Sequence, residues 1–217
     1  MARQSPTSRA RKVKLILFDV DGVLTDGKIW IFPAPGGPEA ALGASPGTSS
    51  ASTVLERSAQ QTGQGGFHGT TLIEAKGFHA HDGAGISLAR LAGIKTGLIT
   101  KRVSETVALR ARDLKMDHVH QGVHDKAGVL RQILEKDHIT AAEVAFVGDD
   151  VIDLPVMRKC GLAIAVKNAR PEVKAEAHYV TAHSGGDGAA RDAIEYILKA
   201  QGKWKKIIGN YIGEAGA

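Results

Sequence analysis

Residues 13–27 read VKLILFDVDGVLTDG, and this stretch decides how the chain folds. From Val13 the run is apolar up to Asp19 except for Lys14, is rich in branched side chains, and is stopped by Gly22. A short apolar run of this kind is typical of a strand that is buried on both faces of a parallel sheet. We therefore predict that it forms the central strand.

Four further strands are predicted along the chain, with helical segments between them. The strands are residues 95–100 (KTGLIT), 118–121 (HVHQ), 143–150 (EVAFVGDD) and 162–166 (LAIAV). The helices are residues 84–92, 104–114, 126–136 and 153–159. Alternating strands and helices predict an α/β fold, a Rossmann-like parallel sheet with helices on both faces. In such sheets ligands bind beyond the carboxyl ends of the strands.

Two groups of carboxylates follow predicted strands. Asp19 and Asp21 are two residues apart in an extended chain, so their side chains point to the same side, and Gly22 allows a sharp turn. The strand at 143–150 runs into GDDVID at residues 148–153. Acids after strands often only cap helices, but two such clusters at one edge favour a cation site. Oxygen ligands without a cysteine or histidine pair favour Mg²⁺, completed by a substrate phosphate.

Two other residues close predicted strands at the same edge. Thr100 ends the strand at 95–100, where a hydroxyl and free backbone amides at a helix start can hold phosphate oxygens. Lys126 begins the helix after the strand at 118–121. A capping threonine or a surface lysine is the commoner case for either residue alone. Because both share an edge with the acids, they are candidates for the same site.

The predicted domain spans residues 13–198, between two tails. Residues 1–12 form a basic segment that we expect to be a disordered tail, and residues 199–217 form a C-terminal tail. The net charge of +5 comes from the amino terminus, which carries five basic residues before the first acid. The remainder is balanced and only 5% of residues are aromatic, so a nucleic-acid partner is disfavoured.

Residues 33–66 depart from the strand and helix pattern. They contain four of the seven prolines together with abundant Gly, Ala and Ser, which cannot bury enough apolar surface to offset the entropy of ordering. We expect this low-complexity insert to be mobile. Residues 27–33 and 69–82 alternate apolar and polar side chains, which predicts an antiparallel β-hairpin flap with the insert at its tip.

Composition excludes several classes of protein. A chain of 217 residues and 22.8 kDa favours one domain, and its one cysteine, Cys160, excludes a disulfide scaffold and is expected to be an inert core thiol. No apolar run approaches the roughly 18 residues that a membrane span requires. The amino terminus lacks the apolar centre of a secretory signal, so we expect a cytoplasmic protein.

The order of these motifs resembles the haloacid dehalogenase superfamily of phosphohydrolases. More narrowly, four segments are similar to the bacterial 3-deoxy-D-manno-octulosonate 8-phosphate phosphatase family. They are FHAHDGAGI (78–86), QGVHDK (121–126), GDDVIDLPVM (148–157) and GGDGAARDAIEYIL (185–198). The resemblance covers residues 13–198 except the insert.

The resemblance implies a Mg²⁺-dependent phosphatase that hydrolyses 3-deoxy-D-manno-octulosonate 8-phosphate for lipopolysaccharide precursor synthesis. It implies that Asp19 is the nucleophile that forms an aspartyl phosphate and that Asp21 is the general acid and base. Mg²⁺ would bind the Asp19 carboxylate, the Asp21 backbone carbonyl and Asp149. Thr100 would bind the transferring phosphoryl group and Lys126 would balance its charge. Asp150 and Asp153 would support these ligands or orient the lysine.

The resemblance also bears on specificity and assembly. Residues 27–98 and 126–148 leave no room for a cap domain once the insert is set aside. The resembled family is tetrameric, with hairpins around the symmetry axis, so we expect a homotetramer. Residues 208–217 are a candidate lid over a neighbouring site, with a frayed terminus as the alternative.

Several residues are candidates for reading a sugar acid. Arg102, Arg110 and Arg191 could bind its carboxylate through a planar guanidinium, although solvated helix arginines are more frequent. His79 and His81 are expected on one face of the hairpin's return strand. The dipeptide Asp82-Gly83 resembles a turn shared with the family.

The chain departs from the family pattern at Lys101, where the family usually has glycine, and in the insert. Substrate fit and assembly are therefore left open. Alternative functions are a phosphatase for a nine-carbon sugar-acid phosphate, a broad-specificity phosphatase, and a non-catalytic interaction module. Nucleotide binding through Gly83-Ala84-Gly85 is disfavoured, because the full glycine spacing and a leading strand are missing.

Overall fold

The computed structural model describes residues 4–33 and 72–213. Its strands are β1 (Leu15–Phe18), β2 (Trp30–Pro33), β3 (Leu72–Ala75), β4 (Lys95–Ile99), β5 (His118–His120), β6 (Val144–Gly148), β7 (Leu162–Ala165) and β8 (Tyr179–Val180). Its helices are α1 (Pro6–Ala10), α2 (Ala80–Leu91), α3 (Glu105–Asp113), α4 (Lys126–Asp137), α5 (Leu154–Met157), α6 (Pro171–Glu176), α7 (Ala189–Ala200) and α8 (Trp204–Tyr211). Short 3₁₀ turns cover Ala141–Glu143 and Val151–Asp153.

The central element is a six-stranded sheet in the order β5-β4-β1-β6-β7-β8, with every pair parallel. All four residues of β1 are buried, because helices cover both faces of the sheet. The predicted α/β fold and its five strands are confirmed. Strand β8 was not predicted, since two residues are too few to show a periodicity.

Seven of the described helices contact one another in two groups. Helices α2 and α7 pack against each other, and α1 and α8 both contact α7. The second group is α4, α5 and α6, in which α5 contacts both of the others. The largest fully buried side chains include Phe18 of β1 and Phe146 of β6, so the core is centred on the two strands that carry the acidic motifs.

Strands β2 and β3 form the predicted antiparallel hairpin, with Trp30 opposite Ala75 and Ile31 opposite Glu74. Apart from Pro33, the low-complexity insert lies outside the described residues. Among the described residues, only this hairpin and α2 form helices or strands between β1 and β4, and the segment between β5 and β6 holds α4 and one 3₁₀ turn. The described part of the chain therefore contains no cap domain.

The return strand is shorter than predicted. It ends at Ala75, and α2 begins at Ala80. His79 caps this helix, since its side chain accepts a hydrogen bond from the backbone N–H of His81. The expectation that His79 and His81 share one face of a strand is therefore wrong, because the cap and the helix replace the extended backbone there.

Both predicted tails contain helices. Ser5 caps α1, Ala10 is fully buried, and Arg9 donates a 2.7 Å hydrogen bond to the carbonyl of Gly161, so residues 5–10 differ from the predicted disordered tail. Helix α8 occupies much of the C-terminal segment and buries Ile207. None of the described helices has the length and apolar character that crossing a membrane requires.

Candidate active site

The neighbouring strands β1 and β6 place Asp19 and Asp149 at one edge of the sheet. Phe18 lies opposite Val147 in the register, so both acids follow their strands at nearly the same height. Asp19, Asp149 and Asp153 each offer a carboxylate oxygen within 4.8 Å of the other two. The structure thus brings together the two acidic motifs that the sequence places at strand ends.

Lys126 lies between two of these carboxylates. Its Nζ is 2.9 Å from Asp19 Oδ2 and 2.7 Å from Asp153 Oδ1, and the residue is only 5% exposed. Burial alone lowers the pKa of Lys126, but the two carboxylates outweigh burial and raise its pKa above the ordinary value. The side chain is therefore a fixed positive charge beside Asp19.

One lysine does not neutralise three acids. Burial, together with the charge of Asp153, raises the pKa of Asp19 to about 6. Burial and the neighbouring carboxylates raise the pKa of Asp149 to about 7. Asp149 Oδ1 is buried and has no hydrogen-bond partner within residues 4–33 and 72–213. An unpartnered, buried carboxylate oxygen beside two other acids is what a divalent cation would neutralise.

Asp149 and Asp153 differ in the partners of their carboxylate oxygens. Asp153 is fully buried, and its Oδ1 binds Lys126 while its Oδ2 accepts the backbone N–H of Asp149 at 3.0 Å. Asp153 therefore orients the lysine and the loop. Asp150 is exposed and accepts the N–H of Val151 at 2.6 Å, which caps the 3₁₀ turn. With oxygen donors only, Asp19 and Asp149 fit a Mg²⁺ ion.

Glycines make the close approach of these segments possible. Gly22 has φ +88°, and a Cβ there would lie 2.2 Å from Asp149 Oδ2. A Cβ on Gly185 would lie 1.7 Å from the carbonyl oxygen of Gly22, and Gly186 donates to the carbonyl of Val23 at 3.0 Å. The glycine-rich loop before α7 therefore packs directly on the turn that follows β1.

Thr100 lies at the same edge of the sheet, beyond β4. Leu98 pairs with Phe18, so Thr100 and Asp19 both follow the ends of adjacent strands. Thr100 is 3% exposed, and its Oγ1 accepts the backbone N–H of Arg102 at 3.4 Å. Lys101, the departure from the family pattern, is exposed.

Asp21 has cationic neighbours in Arg102 and Lys76, and neither of these contacts was predicted. Arg102 Nε lies 3.6 Å from Asp21 Oδ2. The ammonium of Lys76 binds Asp21 Oδ1, and the Lys76 side chain is fully buried. Lys76 was missed because it lies next to a hairpin strand, away from the motifs at the sheet's edge. A lysine immediately after an apolar strand that returns to the domain was the available signal.

Other candidate residues lie apart from the carboxylates. The guanidinium of Arg110 lies 5.7 Å from the centroid of the Phe78 ring, over its face, and Arg191 forms a 2.7 Å ion pair with Glu195 on its own helix. In the described part of the chain, no contact of Arg110 or Arg191 reaches the carboxylate cluster. Their role in binding substrate stays a prediction.

The surroundings of Cys160 and Asp82 indicate that both residues stabilise the fold. Cys160 is buried, which confirms its place in the core, and burial raises the pKa of its thiol to about 12, which disfavours the reactive thiolate. Asp82 is 3% exposed and accepts the backbone N–H groups of Gly188 and Arg191 at 3.3 and 2.8 Å. It therefore caps the start of α7 from α2.

Comparison with known proteins identifies the family. Residues 98–192 match a family model described as haloacid dehalogenase-like hydrolase. The 3-deoxy-D-manno-octulosonate 8-phosphate phosphatase of Escherichia coli strain K12 is 34% identical over 205 residues, which cover 94% of this chain and 89% of that protein. This chain belongs to that phosphatase family. The resemblance inferred from the motifs is confirmed.

Solved structures of the family share the fold. The Moraxella catarrhalis phosphatase, in complex with magnesium, phosphate and a KDO molecule, has a TM-score of 0.74 and 30% identity over 95% of this chain and 97% of that chain. The Yersinia pestis phosphatase has a TM-score of 0.72 and 32% identity over 92% and 88% of the two chains. The fold described above is thus shared with solved phosphatases of this family.

Proposed function

We propose that the protein is a Mg²⁺-dependent phosphatase that hydrolyses 3-deoxy-D-manno-octulosonate 8-phosphate to the free sugar acid and phosphate. The observation that carries the proposal is the cluster at the carboxyl edge of the sheet, in which Asp19 and Lys126 are buried and Asp149 is partly buried. The substrate is that of the related phosphatases named above.

Asp19 is the proposed nucleophile. Its carboxylate oxygen attacks phosphorus, the bond between phosphorus and the sugar oxygen breaks, and Asp21 gives a proton to that oxygen. A water molecule then attacks the aspartyl phosphate. Asp21 takes a proton from this water, phosphate is released, and the Asp19 carboxylate is restored.

Positive charge is needed before this nucleophile can approach its target. At a separation of about 4 Å and an effective dielectric of about 20, one pair of unit charges interacts by about 4 kcal/mol, so a phosphate dianion and Asp19 repel by about 8 kcal/mol. Lys126 offsets part of this repulsion from its position 2.9 Å from Asp19. The Asp19 and Asp149 carboxylates and the Asp21 carbonyl would hold Mg²⁺, which supplies further charge neutralisation for the phosphoryl group. Thr100 would bind phosphoryl oxygens.

The hairpin supports the proposed homotetramer. Four of its apolar side chains are exposed: Trp30, Ile31, Phe32 and Ile73. Apolar side chains clustered on one two-stranded element mark an interaction surface. We therefore propose that the hairpin lies between subunits of a cytoplasmic homotetramer, and light scattering on the Phe32→Glu variant tests this, with a smaller assembly expected.

A substrate panel tests the function. Phosphate release is measured for 3-deoxy-D-manno-octulosonate 8-phosphate, a nine-carbon sugar-acid phosphate and glucose 6-phosphate, each with Mg²⁺ and with a chelator. We expect the highest kcat/KM for the first compound and no turnover in the chelator. Similar kcat/KM values across the panel would contradict the narrow substrate, and chelator-resistant turnover would contradict the metal-dependent mechanism.

A further inference from the structure

Lys76 and Lys126 are the two buried lysines among the described residues. Lys76 follows β3 of the hairpin, its side chain is fully buried, and its ammonium binds Asp21 Oδ1. Burying a lysine is costly unless its charge is paired. The Asp21 carboxylate, which is 23% exposed, is its ion-pair partner in the described part of the chain.

Hydrogen bonds hold the end of the hairpin beside Asp21. The Glu74 side chain accepts a hydrogen bond from Ser104 Oγ, and the Glu74 carbonyl accepts one from Thr106 Oγ1 at 3.2 Å. The N–H of Ser104 donates to Gln121 Oε1 at 2.6 Å. These bonds join β3 to the segments after β4 and β5, so the backbone next to Lys76 is held in place.

The two oxygens of Asp21 have different surroundings. Oδ1 is bound by Lys76, whereas Arg102 Nε lies 3.6 Å from Oδ2, beyond hydrogen-bond distance. A carboxylate held at one oxygen presents the other in a defined direction. Oδ2 is thus the atom left for proton exchange with a ligand.

We propose that Lys76 is a positioning residue for Asp21, an inference that rests on the proposed phosphatase function. The hairpin supplies the ammonium that fixes Oδ1, and Oδ2 then meets the oxygen of the leaving sugar. Loss of this contact should misplace the proton donor without removing the nucleophile, and misplacement by about 1 Å costs about 100-fold in rate.

The dependence on the leaving group separates this role from a structural one. A sugar alkoxide needs a proton as it leaves, whereas nitrophenolate leaves readily without one. A loss of correctly folded enzyme lowers kcat/KM equally for both substrates. A misplaced Asp21 lowers it selectively for the sugar phosphate.

The experiment compares Lys76→Met with a matched control, Lys28→Met. Lys28 also pairs with an aspartate, Asp26, at 3.0 Å, but its side chain is 69% exposed. We measure kcat/KM for 3-deoxy-D-manno-octulosonate 8-phosphate and for p-nitrophenyl phosphate, because kcat/KM covers the steps through departure of the leaving group.

We expect Lys76→Met to lower kcat/KM by about 30- to 100-fold for the sugar phosphate and by less than about 3-fold for the nitrophenyl ester. Lys28→Met should change neither value, and Lys76→Met should add little in an Asp21→Asn background. Equal losses on both substrates, or full additivity with Asp21→Asn, would overturn the inference about Lys76. If the wild type still hydrolyses the sugar phosphate, the proposed function stands. A wild-type protein that releases no phosphate from the sugar phosphate would overturn both.

Discussion

Asp149 occupies the space that a side chain on Gly22 would fill, since a Cβ on Gly22 would lie 2.2 Å from Asp149 Oδ2. Because Gly22 has no side chain, the acidic segment at residues 148–153 can approach the one at residues 19–21. The positive φ of +88° adds a second reason for glycine at this position.

Gly22→Ala should weaken Mg²⁺ activation. The new methyl group displaces the Asp149 carboxylate, and such disturbance of a metal ligand costs about 10- to 100-fold in metal affinity. The Mg²⁺ concentration that gives half-maximal phosphate release measures the effect.

Gly27→Ala is the matched control for this variant. Gly27 also has a positive φ, +80°, but the nearest atom to its added Cβ lies 3.5 Å away. Both variants should lose about 1–2 kcal/mol of stability from the left-handed backbone, whereas only Gly22→Ala should change the Mg²⁺ dependence. An equal change in both would mean that backbone strain, not contact with Asp149, is responsible.

Lys126→Met should destabilise the metal-free protein. The variant leaves Asp19 and Asp153 buried without their shared cation, which costs about 3 kcal/mol of unfolding free energy. Urea unfolding in a chelator measures this. Adding Asp153→Asn to the variant should recover part of the loss, and no recovery would contradict the electrostatic origin.

Mg²⁺ should stabilise the protein more at pH 8 than at pH 5.5. The pKa values of Asp19 and Asp149 are raised from 3.8 to about 6 and about 7, so the folded state keeps protons that the unfolded state has lost between these values. The metal-free protein therefore loses stability as pH rises through this window.

Mg²⁺ competes with those protons and binds better once they have left. The measurement is the difference in Tm with and without Mg²⁺ at each pH, which cancels groups that titrate in both conditions. Asp149→Asn should abolish the difference in Tm between the samples with and without Mg²⁺. A larger Mg²⁺ effect at pH 5.5 would reverse the predicted sign.

Asp82→Ala should lower the unfolding free energy by about 1–2 kcal/mol, because it removes the carboxylate that accepts two N–H groups at the start of α7. Asp82→Asn keeps one acceptor oxygen but turns an amide nitrogen toward the second backbone N–H, so we expect a loss smaller than that of Asp82→Ala. Urea unfolding checks both variants, and equal destabilisation by the two would argue against the capping role.

The sequence predicted the sheet and the acidic edge because both follow from local patterns. Asp19 and Asp149 each end a continuous apolar run, and parallel strands bring such ends to one edge whatever the rest of the chain does. The helical segments at the termini could not be predicted in this way. Helix α1 has five residues and is held by tertiary contacts, including Arg9 with Gly161.

Side-chain partners from separate elements were harder to predict. Lys76 meets Asp21 only because the hairpin folds back onto the edge of the sheet, and the undescribed residues between β2 and β3 carry no periodicity that fixes this return. His79 alternates correctly for a strand, but its ring caps a helix instead. The positions of such residues depend on packing between elements rather than on spacing along the chain.

Phosphate release by the Asp19→Asn variant tests the central claim most directly. The variant keeps a side chain of the same shape beside Lys126 but removes the nucleophilic carboxylate. With 3-deoxy-D-manno-octulosonate 8-phosphate and saturating Mg²⁺, we expect the folded variant to lose more than about 1,000-fold in kcat relative to the wild type. Turnover within about tenfold of the wild type would contradict the assignment of Asp19 as the nucleophile.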